Sequence, residues 1–209
     1  MQIKLCGLMR EQDAIMCAEL GADILGFVVE YPVEVPWNLT RDRAKRLIKM
    51  TPCATCVVTG GTTEQVLSLA SGLMPDMVQL HYQETIEQTA DIAEKLGQMG
   101  IKTIKAVHNM DEMDRLNQTR IDAILLDSRT HQNASDCGSV LEVDLYRQTC
   151  EKTNKPIILA GGITPENVMW ILAQTGADRI DVMTGVESAP GIKDKDKVKK
   201  LMQNAKNGR

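Results

Sequence analysis

Eight times along this chain a short apolar run is followed by a longer segment of helical period. The runs are Ile3–Cys6, Ile24–Val29, Cys53–Val58, Met77–His81, Thr103–Val107, Ala123–Asp127, Pro156–Ala160 and Arg179–Met183. Each has the length of a strand. The intervening segments predict helices over Glu11–Leu20, Arg41–Met50, Thr63–Leu73, Thr85–Met99, Asp111–Asn117, Leu141–Lys152, Pro165–Thr175 and Asp194–Ala205. Thr40 and Thr164-Pro165-Glu166 read as N-terminal caps, the second with proline at the first helical position. Gly21, Gly100 and Gly176 read as helix stops. Such repetition builds a parallel sheet covered by helices, either an open doubly wound sheet or a closed (β/α)8 TIM barrel. The count of eight favours the barrel, as a single domain over residues 1–209. So does the lack of a G-x-G-x-x-G turn after any strand.

Composition narrows the class of function. Hydrophobic residues make up 43% and charged residues 25%, which suits a globular chain with a full core. Aromatics are only 3%, so the core must be built from aliphatic residues and methionine, and a base-stacking surface is not expected. A net charge of −4, with no basic block before the lysine-rich tail from Lys193, argues against a nucleic-acid partner. A small phosphorylated ligand stays open, because backbone amides hold an anion without net positive charge. No apolar run approaches the roughly 18 residues of a membrane span, and the first residues carry Lys4 and no signal-like apolar stretch. The expected compartment is the cytoplasm, with all six cysteines reduced. Cys53 and Cys56 form a lone C-x-x-C without a second pair or spaced histidines, so no metal site is expected.

In a barrel, chemistry sits at the C-terminal ends of the strands. The polar residues there are Cys6, Gln79, His81, His108, Asp127 and Asp181. Alternation puts Ile3 and Leu5 on one face of the first strand and Lys4 and Cys6 on the other. Cys6 is then either a working thiol or a small buried hydrophobe. Asp127 ends four apolar residues; it is either a shielded general acid or a cap for Ser128 or Thr130. Asp181 lies inside its run, and an ion pair with Lys4 or Lys105 is the alternative to a ligand contact. His81 shares a side with Gln79 and is either a proton carrier or a hydrogen-bonded interior histidine. His108 and His131 read as loop residues. Gly161-Gly162 after the seventh strand and Thr184-Gly185 after the eighth occupy the two loops that seat phosphate in this architecture.

Taken in order, several motifs resemble one family. They are Lys4-Leu5-Cys6-Gly7, Gly21-Ala22-Asp23 with Gly26-Phe27-Val28, Val78-Gln79-Leu80-His81, Ile104-Lys105-Ala106-Val107 and Leu125-Leu126-Asp127. Gly161-Gly162-Ile163 with Pro165-Glu166-Asn167-Val168, Asp181-Val182, Gly185-Val186-Glu187 and Pro190-Gly191 complete the set. The chain resembles the phosphoribosylanthranilate isomerases of tryptophan biosynthesis over essentially its full length. The resemblance implies a cofactor-free barrel, monomeric or homodimeric, that opens the ribose ring of a phosphorylated N-glycoside by an Amadori rearrangement. It implies Cys6 as general base at the sugar C2, favoured by the positive charge of Lys4, and Asp127 as general acid at the ring oxygen. It further implies phosphate on Gly162, Thr184 and Gly185, and Asp181 beside the aminobenzoate ring.

The family pattern also breaks in places. An arginine that holds the anthranilate carboxylate is missing from Glu30-Tyr31-Pro32-Val33-Glu34-Val35-Pro36-Trp37, where two acids stand instead. Arg10, Arg43 and Arg129 are the candidate replacements. Tyr82 stands where the family has glycine, Thr59-Gly60-Gly61 where it has a bulkier segment, and Asp136-Cys137-Gly138-Ser139 in the loop after the sixth strand. Two alternatives stay open from sequence: another phosphosugar isomerase, epimerase or lyase on this barrel, or a phosphate-ligand-binding protein without catalysis. The segment Glu30–Asn38 is expected to close over the site, with Trp37 or Tyr31 against the ligand.

Overall fold

Every apolar run forms one strand, and each strand runs parallel to the next. The computed structural model describes residues 1–127 and 140–207. The strands are β1 Gln2–Leu5, β2 Ile24–Val28, β3 Ala54–Thr59, β4 Met77–Leu80, β5 Lys102–Val107, β6 Ala123–Asp127, β7 Ile157–Ala160 and β8 Arg179–Val182. They pair in sequence order, and β8 pairs back on β1 through Gln2↔Arg179, Ile3↔Ile180, Lys4↔Asp181 and Leu5↔Val182. The sheet is therefore a closed (β/α)8 barrel, not an open sheet.

The helices are α1 Glu11–Glu19, α2 Arg41–Met50, α3 Thr63–Leu73, α4 Ile86–Gln98, α5 Met113–Asn117, α6 Val140–Lys152, α7 Val168–Thr175 and α8 Lys195–Asn207. A hairpin, β9 Glu187–Ala189 and β10 Ile192–Lys193, precedes α8. The caps differ from expectation. Thr40 sits at the N-cap of α2 in extended conformation, but its hydroxyl accepts no capping bond. α7 begins at Val168 because Thr164 Oγ accepts from the Glu166 and Asn167 amides while Asn167 Oδ1 accepts from the Thr164 amide. That closed turn uses up Pro165 before the helix starts. The full capping boxes are Thr62 with Gln65 and Thr85 with Gln88, a T-x-x-Q spacing visible in the sequence but missed.

The period of two sorts the strand residues into two cores. Ile3, Leu5, Leu25, Phe27, Val57, Leu126, Leu159, Ile180 and Val182 point outward and pack against the helices. Cys6, Ile24, Val28, Cys56, Val58, Ile104, Ala106, Leu125, Ile158 and Ala160 fill the barrel interior. The interior residues are small or aliphatic, which is how a chain with 3% aromatics packs a narrow barrel. Strand ends fall one residue earlier than expected at Cys6 and His81. Their amides still extend the ladder, to Val182 O at 3.0 Å and Thr59 O at 3.1 Å. Among the described residues no helix is long and apolar enough to cross a membrane.

Candidate active site

The C-terminal mouth of the barrel opens into one cavity, and every residue expected to act there lines it. Cys6, His81, Asp127, Gly162, Asp181, Thr184 and Gly185 all face this space. Strand register places them. Lys4 and Asp181 are directly paired across β1 and β8, both inward, and their side chains meet at 2.7 Å with almost no exposure. The ion-pair reading of Asp181 therefore holds with Lys4, while its Oδ1 has no partner among the described residues and the residue still lines the cavity. Lys105, the other candidate, pairs with buried Glu84 at 2.6 Å.

Burial alone would push the Lys4 ammonium down. Asp181, with the thiols of Cys6 and Cys56, outweighs it and holds the charge firmly on. Lys4 Nζ and Cys6 Sγ both occupy room left by Gly26 on the neighbouring strand. A Cβ at position 26 would lie 2.7 Å from Cys6 Sγ and 3.0 Å from Lys4 Nζ. Burial pushes the Cys6 thiol above its usual value, Asp181 adds to that, and Lys4 and Lys193 offset it only in part.

Asp127 ends β6 with its carboxylate buried, facing His81 Nε2 at 3.7 Å. The other ring nitrogen of His81, Nδ1, meets Gln79 Nε2 at 3.1 Å. Burial lowers the His81 pKa to about 4, with the Asp127 charge opposing and His108 and Lys4 reinforcing the shift. His81 is thus a neutral, hydrogen-bonded imidazole. Sequence reasoning undervalued His108, whose Nδ1 lies 3.1 Å from the Asp127 backbone carbonyl and whose ring is 5.9 Å from that of His81. The cap partners Ser128 and Thr130, the candidate Arg129, His131 and the segment from Asp136 to Ser139 lie outside the described residues.

The seat expected for phosphate is shaped by glycine. Gly161 and Gly162 turn at φ 96° and 62°. A Cβ on Gly185 would collide with the carbonyl oxygen of Ile163, so the loops after β7 and β8 touch only because residue 185 has no side chain. Asn167 Nδ2 braces the first loop by donating to Gly162 O at 3.0 Å.

The segment after β2 straps the mouth, with Tyr31, Val35 and Trp37 lining the cavity. Tyr31 OH donates to the His81 carbonyl at 2.5 Å, and its ring stands edge-on to Tyr82 at 6.0 Å. Asn38 clasps the strap through both backbone groups of Tyr31. Trp37 packs over Gly7 and Gly191, both at positive φ. The acids of this segment do not face the cavity: Glu30 is exposed and ion-paired with Arg41, and Glu34 is exposed. Arg10 is held by Asp13 and Arg43 by the Met9 carbonyl, so neither reaches the cavity. Gly60 and Tyr82 lie against each other. A Cβ at Gly60 would collide with the Tyr82 side chain, so the tyrosine fills what the glycine vacates.

The arrangement combines a thiol, a carboxylate, an imidazole and two glycine-lined loops in one small space. A family model described as N-(5'-phosphoribosyl)anthranilate (PRA) isomerase matches residues 3–204. An N-(5'-phosphoribosyl)anthranilate isomerase of Methanosarcina acetivorans is 32% identical, over 98% of this chain and 93% of that protein. The crystal structure of phosphoribosyl anthranilate isomerase from Thermotoga maritima superposes with a TM-score of 0.85 at 31% identity, over 99% of this chain and 98% of that one. A phosphoribosyl anthranilate isomerase in complex with reduced 1-(o-carboxyphenylamino)-1-deoxyribulose 5-phosphate superposes at 0.81 with 30% identity, over the same shares. A match along nearly the whole length means that this chain belongs to the N-(5'-phosphoribosyl)anthranilate isomerase family.

Proposed function

We propose that this protein is a phosphoribosylanthranilate isomerase acting in tryptophan biosynthesis in the cytoplasm. It converts N-(5-phosphoribosyl)anthranilate to the carboxyphenylamino-deoxyribulose phosphate. The observation that carries this reading is the placing of Cys6 and Asp127 in one cavity with the glycine-lined loops after β7 and β8. The phosphate sits on the backbone amides of Gly162, Thr184 and Gly185, which fixes the sugar between β1 and β6. Asp127 gives a proton to the ring oxygen as the C1–O bond breaks and the anilino nitrogen forms an iminium. Cys6, as thiolate, removes the C2 proton, and the resulting enolamine becomes the ketose. The protonated Schiff-base nitrogen lies toward Asp181, whose unpartnered Oδ1 accepts from it.

The elevated Cys6 thiol has a consequence for rate. Thiolate is scarce at neutral pH but strongly basic where it forms, and because turnover also needs Asp127 protonated, kcat/KM follows a bell-shaped pH profile. The direct test is turnover of phosphoribosylanthranilate, generated in place and followed by loss of its fluorescence, together with rescue of a tryptophan auxotroph lacking this step. Turnover with rescue is expected. Folded protein that does neither, at micromolar enzyme, overturns the assignment.

A further inference from the structure

Gln79 is an amide buried inside the barrel, 1% exposed, where an apolar side chain would cost less. Its position on β4 is set by register, opposite Ile104 on β5 and Val58 on β3, so it points inward two residues before His81. Its Nε2 meets His81 Nδ1 at 3.1 Å. With its nitrogen toward the ring the amide donates and His81 Nδ1 accepts, while Gln79 Oε1 has no partner among the described residues; a neutral imidazole that accepts at Nδ1 carries its proton on Nε2. His81 Nε2 is the atom that faces Asp127 Oδ2, at 3.7 Å. That spacing is one small side-chain adjustment from a hydrogen bond, and such contacts tighten when substrate closes the site.

We propose that Gln79 is a positioning residue that fixes the His81 tautomer, so that the Nε2–H donates to Asp127 as its carboxylate develops. The proposal rests on the reading of Asp127 as the acid. When Asp127 gives its proton to the ring oxygen, it becomes an anion in a confined space. A donor already aimed at it stabilises that anion without reorganisation. In the opposite tautomer a lone pair would face the new charge and oppose its formation. Low basicity of His81 serves the same end, since an imidazole that stays neutral keeps its proton rather than exchanging it with the carboxyl. Besides Asp127, the described charged or titratable groups that act on His81 are His108, Lys4 and Asp181. Lys4 and Asp181 are bonded to each other, so their effects on His81 largely cancel.

Two experiments test this, and the first needs no variant. Proton–nitrogen correlation spectra of the three histidines, assigned by substitution, should show His81 protonated at Nε2 at neutral pH, and Q79M should give a mixture of tautomers. His81 found protonated at Nδ1 in the unsubstituted protein overturns the proposal. The second is a kinetic cycle on phosphoribosylanthranilate. H81Q supplies an amide N–H near the Nε2 position and has no tautomer to fix. Q79M is expected to lower kcat at least tenfold beside His81 but less than twofold more in the H81Q background. Equal loss in both backgrounds means a packing role only and also overturns it. D127N separates the two levels: if it abolishes turnover while Gln79 proves neutral, only the tautomer inference fails. If D127N is fully active, the acid assignment fails first.

Discussion

At Lys4 two demands meet on one side chain. The ammonium is 1% exposed, and it stands between a carboxylate it must neutralise and a thiol it must partly activate. Removing one partner of a buried pair leaves the other charge stranded, which costs about 3–5 kcal/mol. Lys4→Met should therefore lower stability by about that amount in urea unfolding, and Lys4→Met with Asp181→Leu should recover most of it. His81 makes a second residue-scale prediction. Its pKa is about 4 in the folded state against 6.5 for an ordinary histidine, so the unfolded chain binds the extra proton first. Stability is complete above pH 6.5 and falls as pH drops toward 4, by at most about 1.4 kcal/mol per pH unit, and H81Q should flatten that slope in acid unfolding curves. Much of this scale was readable in advance. Alternation along Ile3–Cys6 put Lys4 and Cys6 on one face, which is the barrel interior, and Lys4 was one of the two cations weighed as a partner for Asp181. The thiol's elevated basicity was not readable, because it depends on how completely the other strands enclose it.

At the scale of elements, the site is made by loops that approach closely. The loops after β7 and β8 touch where residue 185 has no side chain. Gly185→Ala must push them apart, and it should raise KM more than tenfold while kcat with saturating substrate changes less, measured by initial rates. The strap after β2 is held by hydrogen bonds and aromatic contacts instead, through Tyr31, Asn38 and Trp37. Its place at the mouth, with Tyr31 and Trp37 lining the cavity, agrees with the expectation from sequence. Its anchoring was not legible there: the contact between Gly60 and Tyr82 joins two loops 22 residues apart, 82 minus 60, and local patterning carries no such information. Helix starts were misjudged for a related reason. At Thr164 the side chain caps a closed turn before the helix, which propensity alone does not distinguish from a helix N-cap.

Across the whole molecule, strand count and order were the most legible features, because eight apolar runs with helical spacers leave few ways to close a sheet. Closure then dictates function, since it gathers all strand ends that carry polar groups into one mouth. A ligand that binds only this assembled mouth stabilises the native state by mass action, about 1.4 kcal/mol at ten times its Kd. Inorganic phosphate should accordingly raise the melting temperature by roughly 3–6 °C at that concentration, and the aminodeoxyribulose phosphate product should do so at far lower concentration. No shift at saturating phosphate would remove the glycine-lined seat from the account. The central claim is that Cys6 and Asp127 transfer the two protons. Single-turnover rates on phosphoribosylanthranilate for Cys6→Ala and Asp127→Asn, each verified folded by circular dichroism, measure this most directly. The account requires each variant to lose at least about a hundredfold in rate, the usual contribution of a positioned acid or base. Unchanged turnover in either variant would contradict it.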